Sequence, residues 1–98
     1  MAEIRSRRLE WARPARAAYE ATIDRITGED PVTAGLVEAR VARSLALLMM
    51  RPGLGTPSVI TGRRVYAVPR TGHTFNYRVT DDVIYILRWY RQRQNVPR

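Results

Sequence analysis

The residues best suited to chemistry gather near the C-terminus of this 98-residue chain, where arginines alternate with aromatic residues. Arg88, Arg91 and Arg93 stand beside Trp89 and Tyr90 at the end of an apolar run. Guanidinium groups bind phosphate or carboxylate through paired hydrogen bonds, and aromatic neighbours add stacking. The cluster therefore indicates a surface that recognises nucleic acid or an anionic protein, with a plain solvated tail as the other interpretation.

Two further arginines stand at turns upstream of this cluster. Arg63 follows Gly62, and Arg70 lies in the turn-forming run Pro69–Gly72. All 17 residues of the lysine and arginine class are arginine, so the surface offers flat, forked groups and no lysine point charges. We predict a target-binding surface that consists of Arg63, Arg70, Arg88, Tyr90, Arg91 and Arg93.

Cleavage of RNA would require a general acid and a general base around the scissile phosphate. The chain has one histidine and no lysine, which argues against an enzyme. His73 falls on an alternating strand pattern, where a histidine is more often packed than catalytic. We therefore assign no catalytic residue. If the protein is an enzyme after all, an mRNA endoribonuclease site would use Arg88, Tyr90 and Arg91.

The formal charge of +8 is concentrated in the second half of the chain. Residues 1–50 carry eight arginines against seven acidic residues, whereas residues 51–98 carry nine against two. A domain this basic is suited to nucleic acid, a nucleic-acid enzyme or an acidic protein. Six arginines outside the predicted target-binding set are expected to lie on a solvated face: Arg5, Arg7, Arg13, Arg16, Arg25 and Arg40.

Several classes of protein are excluded by composition. The chain contains no cysteine, so disulfides, zinc–thiolate sites and thiol catalysis are ruled out, and we expect neither a metal nor a cofactor. The longest apolar run, Leu45–Met50, is far shorter than the roughly 20 residues of a membrane-spanning helix. Charges near the N-terminus argue against a secretory signal. We expect a cytoplasmic protein that does not enter a membrane.

The basic cluster must be positioned by strands. His73 to Val79 alternates, with one residue in two apolar, which predicts a half-buried strand. Val83 to Tyr90 begins as an apolar run that predicts a central strand covered on both sides. The polar residues Thr80–Asp82 join these two as an antiparallel hairpin. Upstream, Ser58–Thr61 and Val65–Val68 predict further strand.

The first half of the chain predicts a short strand and two helices. Arg8–Trp11 alternates as a strand would, and helical spacing runs from Ala15 to Ile26, with Gly28 ending that helix. Asp30 is placed to cap a second helix that continues to about Met50. The predicted fold is α+β: an N-terminal strand, an α-helical hairpin, then a three- to four-stranded antiparallel sheet, in one domain of residues 1–98 with a basic tail from residue 91.

Five apolar residues exceed what a small core readily covers. They are Leu9, Trp11, Leu47, Met49 and Met50. They either belong to the core or form a groove that receives the apolar side of a partner segment.

Several short motifs occur in an order that resembles the RelE/ParE superfamily of toxins from type II toxin–antitoxin systems, and the resemblance covers Arg8 to Arg98. The motifs are Leu9-Glu10-Trp11 with Pro14-Ala15, Leu48-x-x-x-Pro52-x-x-Gly55, Gly62-Arg63-Arg64, Phe75-x-Tyr77-Arg78-Val79 and Val83-x-x-Ile86-Leu87-Arg88. The tyrosine-arginine strand and the Ile-Leu-Arg strand resemble the ParE-like branch most. The chain departs from many relatives at Arg91, where they have histidine, and at His73, where they have an apolar or aromatic residue.

The resemblance implies a bacterial toxin that inhibits growth and takes part in plasmid stabilisation. A ParE-like member would bind DNA gyrase and block replication, and a cognate antitoxin, ParD-like or related, would neutralise it in a hetero-oligomer. The five apolar residues above, Leu9, Trp11, Leu47, Met49 and Met50, would then contact the antitoxin. A RelE-like member would instead cleave mRNA on the ribosome.

Overall fold

A computed structural model of the chain describes residues 7–92. In chain order the elements are β1 (Arg8–Trp11), α1 (Arg13–Glu29), α2 (Pro31–Met50), β2 (Thr56–Pro57), β3 (Arg64–Val68), β4 (His73–Val79) and β5 (Val83–Arg91). The strands form one sheet in the order β1-β5-β4-β3-β2. The four strands after α2 are antiparallel, as predicted, and β1 lies parallel to β5 as a fifth strand at the edge.

The start of α2 is fixed by Asp30, as the sequence predicted. Its carboxylate accepts hydrogen bonds from the backbone N–H groups of Val32 at 3.1 Å and Thr33 at 3.4 Å, and Pro31 occupies the first turn. The hydroxyl group of Thr33 also donates to Asp30 at 2.8 Å. These hydrogen bonds, the one from the Thr33 side chain above all, lower the pKa of Asp30.

The predicted end of α1 at Gly28 is wrong by one residue, since the helix continues to Glu29. The backbone N–H of Asp30 still donates to the carbonyl oxygen of Ile26 at 2.7 Å, so helical hydrogen bonding persists past the glycine. Nothing lies within 4 Å of the position where a Gly28 side chain would start. The two helices therefore join with Asp30 as the single residue between them.

Both helices pack against one face of the sheet, called here the covered face. Its buried core includes Val37, Val41, Leu48, Phe75, Tyr77, Ile84, Ile86 and Trp89. Partly buried rings extend the core toward the N-terminal strand, because Trp11 contacts Tyr19 with ring centroids 5.2 Å apart and Tyr19 contacts Trp89 at 5.0 Å. No helix in residues 7–92 has the length and apolar content to cross a membrane.

Strand structure predicted for Ser58–Thr61 is absent, because these residues form the turn between β2 and β3. The backbone N–H of Ser58 donates to Arg63 at 2.8 Å and that of Arg63 to Ile60 at 3.1 Å, which closes the turn. Val59 is fully exposed and Ile60 is 49% exposed, so their strand propensity is not supported by packing.

The prediction of a half-buried β4 holds only for its last residues. His73, Phe75 and Tyr77 face the helices as expected, but Thr74 and Asn76 on the other face are also buried. Tyr90 of β5 pairs with Thr74 in the register and its hydroxyl group donates to Asn76 Oδ1 at 2.9 Å. A side chain of the neighbouring strand therefore covers this part of β4.

β5 is central in the sheet, between β1 and β4, as its apolar sequence predicted. Helices cover only one of its faces, however, so Tyr85 and Leu87 stay partly exposed. A β-bulge interrupts the pairing with β4, because Ile86 lies opposite Tyr77 while Arg88 lies opposite Asn76. The bulge leaves Leu87 as the extra residue and sets which side chains of the C-terminal half face outward.

Candidate functional site

The sheet register brings distant arginines to one end of the molecule. Arg91, at the end of β5, pairs with His73 at the start of β4, and the backbone N–H of Gln92 donates to the carbonyl oxygen of Gly72 at 2.8 Å. Arg70 lies in the same turn as Gly72 and is exposed, as Arg91 is. Two members of the predicted target-binding set, Arg70 and Arg91, therefore lie at one end of the sheet, called here the basic end.

Strand alternation divides the C-terminal cluster between the two faces. Arg88 and Tyr90 pair with Asn76 and Thr74 and lie on the face away from the helices, called here the outer face. Arg91 pairs with His73 and lies on the helix side. The alternative catalytic set of Arg88, Tyr90 and Arg91 is thus not brought together on one surface, although its first two members are.

Arg88 and Tyr90 form one structural unit on the outer face. The guanidinium carbon of Arg88 lies 5.3 Å from the centroid of the Tyr90 ring, and the hydroxyl group of Tyr90 is held by Asn76. A second pair of the same kind lies nearby, with Arg78 at 5.3 Å from the ring of Tyr85. Arginines held over rings keep their N–H donors free for an anionic partner, so the outer face can bind phosphate or carboxylate.

His73 is buried and packed, as predicted. Its ring stacks on Trp89 with centroids 4.9 Å apart and planes 5° apart, and Nδ1 lies 3.0 Å from the carbonyl oxygen of Thr71. A carbonyl oxygen only accepts, so Nδ1 carries the proton. Burial lowers the pKa of His73, and the positive charges of Arg91 and Arg25 lower it further, while the hydrogen bond to Thr71 opposes them.

Tyr77 anchors the loop after α2, a role that the sequence did not reveal. Its hydroxyl group donates to the carbonyl oxygen of Pro52 at 2.7 Å and accepts from the N–H of Gly55 at 2.8 Å. Burial is the main cause that raises the pKa of Tyr77. A side chain at residue 55 would begin 2.7 Å from the carbonyl oxygen of Val65 and 2.8 Å from the Tyr77 hydroxyl group, so only glycine fits there.

Arg63 lies apart from the other predicted target-binding residues. It precedes β3, at the opposite end of the sheet from Arg70 and Arg91, beside a shallow depression of about 250 Å³. Its neighbour Arg64 donates to the carbonyl oxygen of Gly55 at 2.6 Å and so fastens the loop. Arg93 falls outside the residues that the structure describes.

The apolar residues predicted to contact an antitoxin fall into two groups. Leu9, Trp11 and Met49 are partly buried and pack against the core. Leu47 and Met50 are 39% and 79% exposed on α2. Of the five, only the α2 pair presents a substantial apolar surface to solvent.

A cavity of about 360 Å³, called here the α2 groove, lies between α2 and β3. Its lining includes Arg40 and Arg43, and Arg40 was expected on a solvated face. That expectation is wrong, because Arg40 is half-buried and its guanidinium group donates to the carbonyl oxygen of Arg70 at 3.4 Å. The contact joins residues far apart in sequence, which is why helical spacing alone did not predict it.

No cluster of three or more His, Asp or Glu residues that could hold a metal ion occurs in the described part of the chain. The structure instead places arginine guanidinium groups on three surfaces: the outer face, the basic end and the α2 groove. Each can bind an anionic group without a cofactor.

The sequence matches no protein-family model and no curated protein sequence. The structure is similar to a chain in the solved structure of the chromosomal ParDE toxin–antitoxin system from P. aeruginosa. The TM-score is 0.76 at 26% sequence identity, and the match covers 90% of this chain and 98% of that chain. The resemblance to the ParE-like branch of the RelE/ParE superfamily is therefore confirmed, and the α+β fold expected from it is the one observed.

Proposed function

We propose that this chain is the toxin of a type II toxin–antitoxin system, and that it stops replication by binding DNA gyrase without catalysing a reaction. The structural match to the ParDE system supports the toxin assignment. The observation that carries the binding mechanism is the outer face, where two arginines are held over tyrosine rings, while the one histidine, His73, is buried on the covered face.

A binding inhibitor needs only a surface that complements one conformation of its target, and the pairs Arg78–Tyr85 and Arg88–Tyr90 supply one. Rigid aromatic residues with neighbouring arginines are enriched among the residues that dominate protein interfaces. The basic end adds Arg70 and Arg91. Together these groups favour a target that is itself anionic, such as an enzyme with DNA bound to it.

Catalysis is less well supported by the geometry. His73 is buried against Trp89, so its ring cannot reach a substrate phosphate. Tyrosines with an unperturbed pKa of about 10 are poor bases at neutral pH. The rival function, a ribosome-dependent mRNA endonuclease, is favoured by one observation: Arg88 and the hydroxyl group of Tyr90 share the outer face, beside Asn76.

A cognate antitoxin would neutralise the chain in a cytoplasmic hetero-oligomer. Because the positive charge is concentrated in residues 51–98, we expect this partner to be acidic over its binding segment. An interface of standard size would bury about 1,600 Å² in total. The exposed apolar residues of α2, Leu47 and Met50 among them, would lie within it.

One pair of assays tests the proposal and its rival together. The purified chain is added to a DNA supercoiling reaction with gyrase and, in parallel, to a translation extract programmed with a defined message. We expect supercoiling to be inhibited or gyrase-cleaved DNA to accumulate, while the message stays intact. Cleavage of the message at the ribosomal A site with gyrase unaffected would replace the proposal with the endonuclease. Activity in neither assay would contradict both mechanisms.

A further inference from the structure

The α2 groove is a small cavity with cationic walls and an apolar base. Arg40, Arg43 and Arg70 line its walls, and no acidic residue is among its described lining. Leu47 and Tyr66 supply carbon surface. Its volume of about 360 Å³ lies at the lower end of the roughly 300–1,000 Å³ that pockets for small ligands span. The groove therefore has the size of a small-molecule site, and its charge favours an anion.

A buried hydroxyl group in the lining has no partner. Ser44 is 2% exposed and lines the groove, yet its hydroxyl group makes no hydrogen bond to any residue in the described range 7–92. By contrast, Thr22 and Thr27 on α1 each donate to the carbonyl oxygen four residues earlier. Leaving a buried hydroxyl group unpaired costs free energy, and a ligand that bonds to it would remove that cost. Ser44 therefore points to a polar ligand inside the groove.

The backbone of Arg70 is strained at the rim of the groove. Its φ of 63° lies in the left-handed region, and no other non-glycine residue of the described chain has a positive φ. Strained residues of this kind occur most often where a ligand or a switch uses them. The guanidinium group of Arg40 donates to the carbonyl oxygen of Arg70 at 3.4 Å. Two of the three cations are thus fixed to each other before a ligand arrives, which lowers the entropic cost of binding an anion between them.

A phosphate group matches these cations better than a carboxylate does. A phosphate monoester carries a charge of about −1.5 to −2 at pH 7 and offers three terminal oxygens, whereas a carboxylate carries one charge and two oxygens. The three guanidinium groups repel one another, so the ligand with more negative charge relieves more of that repulsion. Guanidinium groups also bind phosphate through paired hydrogen bonds.

The rest of the ligand must cover the apolar base of the groove. The ring of Tyr66 is half-buried and contacts Phe75 with centroids 5.6 Å apart, so its position is fixed. Leu47 and Pro69 add carbon surface beside it. A flat aromatic group packs well on such a ring, and nucleobases stack on tyrosine in many binding sites. A phosphate that carries a nucleoside therefore fits the whole groove, whereas inorganic phosphate would leave its base uncovered.

We propose that the α2 groove binds a nucleoside phosphate, with the phosphate group among Arg40, Arg43 and Arg70 and the base against Tyr66. The hydroxyl group of Ser44 bonds to a polar atom of the ligand. A nucleic-acid strand is a poorer match. One turn beyond the groove at each end of α2 stand Leu36 and Met50, which are 49% and 79% exposed and offer nothing to flanking phosphates. The site uses no residue of the outer face, so it stands or falls separately from the proposed binding of gyrase.

Titration with adenosine 5′-monophosphate and guanosine 5′-monophosphate tests the site. The full-length chain is used without antitoxin, because Leu47 also lies in the interface proposed for that partner. We expect a dissociation constant below about 1 mM for at least one nucleotide, with amide resonance shifts at Ser44 and Arg70. Adenosine, guanosine and inorganic phosphate should each bind at least about tenfold more weakly, since each lacks one half of the ligand.

Three results of that titration would overturn the proposal. The first is that neither nucleotide binds, or that the resonance shifts lie away from the groove. The second is that inorganic phosphate binds as tightly as the nucleotides, which would make the groove an anion site only. The third is that a short single strand of deoxythymidine displaces the nucleotide at lower concentration, which would make the groove a nucleic-acid surface.

Arg43→Glu with Arg16→Glu as its control shows whether the groove supplies the charge. Arg43 is exposed at the wall of the groove, and Arg16 lies on α1 outside it, with a 61% exposed side chain in a weak surface ion pair. Both variants change the net charge equally. We expect the dissociation constant of the nucleotide to rise by about tenfold or more in Arg43→Glu alone, because attraction to the phosphate becomes repulsion. An equal rise in both variants would contradict the proposal.

Ser44→Ala gives effects of opposite sign on stability and on binding. Removal of an unpaired buried hydroxyl group should leave the melting temperature of the free chain unchanged or higher. Loss of its bond to the ligand should raise the dissociation constant of the nucleotide by roughly 3- to 10-fold, the range for one hydrogen bond. Unchanged affinity in this variant would show that the hydroxyl group does not contact the nucleotide, and the proposal would be wrong.

Discussion

The two faces of the sheet use aromatic residues differently. On the covered face the rings contact one another, in the series Trp11, Tyr19, Trp89 and His73. On the outer face each ring carries an arginine instead, in the pairs Arg78–Tyr85 and Arg88–Tyr90.

The difference is clearest along β5, where side chains that pack in the core alternate with side chains that stay outside it. Along β5, Trp89 is buried against α1 and donates its indole N–H to the hydroxyl group of Thr22 at 3.0 Å. Its neighbours on either side, Arg88 and Tyr90, face outward. Because side chains alternate along a strand, a change on the covered face should alter stability first, and a change on the outer face should alter function first.

The largest effect on the free energy of unfolding is expected from Phe75→Ala. Phe75 is fully buried among the core residues, so its truncation leaves a cavity and should cost about 3–5 kcal/mol. Tyr85→Ala on the outer face is the comparison, with an expected loss of about 1 kcal/mol or less. Urea unfolding of both variants measures the difference. Equal losses would mean that the outer face carries a second core.

Gly55→Ala should have the next largest effect, because the new methyl group would lie 2.7 Å from the carbonyl oxygen of Val65. We expect a loss of about 1–3 kcal/mol, in the range of overpacked sites. Gly53→Ala in the same loop is the control, since nothing lies within 4 Å of its new methyl group. Thermal unfolding distinguishes them, and a Gly55→Ala variant as stable as Gly53→Ala would show that the Tyr77 anchor is loose.

A smaller, pH-dependent effect is expected from His73. Its pKa in the folded chain lies below the unfolded value of about 6.5, so the unfolded state takes up the proton first. The stability that neutral His73 contributes is therefore present above pH 6.5, begins to fall below that value, and is lost as the pH falls through the lower pKa of the folded chain. We expect His73→Phe, which keeps a ring against Trp89, to flatten the pH dependence between pH 7 and pH 5. Unchanged pH dependence in the variant would assign the effect to other groups.

The smallest effect on stability should accompany the largest effect on growth. Arg88 is exposed, so Arg88→Glu should change the free energy of unfolding by only about 0.5 kcal/mol. If the outer face binds the target, the variant should lose growth inhibition, whereas Arg16→Glu on α1 should keep it. Induced expression with a parallel unfolding measurement tests this, and full growth inhibition by Arg88→Glu would move the target-binding surface to the basic end.

The sequence predicted the elements whose signals are local. Asp30 and Pro31 predicted the start of α2, and the alternation from His73 to Val79 predicted β4. Strand propensity gave a wrong prediction at Ser58–Thr61, which form a turn. Val59 there is fully exposed, so no packing supports a strand. The burial of Asn76 could not be foreseen, because it depends on a hydroxyl group fourteen residues away in the chain, at Tyr90.

The positions of the candidate surfaces were harder to predict than the fold. The C-terminal arginines are neighbours in sequence, but a β-bulge and strand alternation decide that Arg88 faces outward and Arg91 does not. The α2 groove was missed because its walls come from α2 and the β3–β4 turn, and only the folded chain places Arg40 beside Arg70. A contact between residues so far apart in the chain leaves no periodic pattern in the sequence.

The parallel pairing of β1 with β5 has a consequence for synthesis. The backbone N–H of Arg8 donates to the carbonyl oxygen of Asp82 at 2.7 Å, and β1 pairs along its length with β5. During synthesis β1 therefore cannot pair until β5, the last strand, has left the ribosome. Contacts between such distant residues slow folding, because the intervening chain must be ordered first. β5 also carries Arg88 and Tyr90, so the strand that completes the sheet delivers the outer-face residues too. A chain released before residue 83 would therefore lack β5, and with it the pairing partner of β1 and the Arg88–Tyr90 pair.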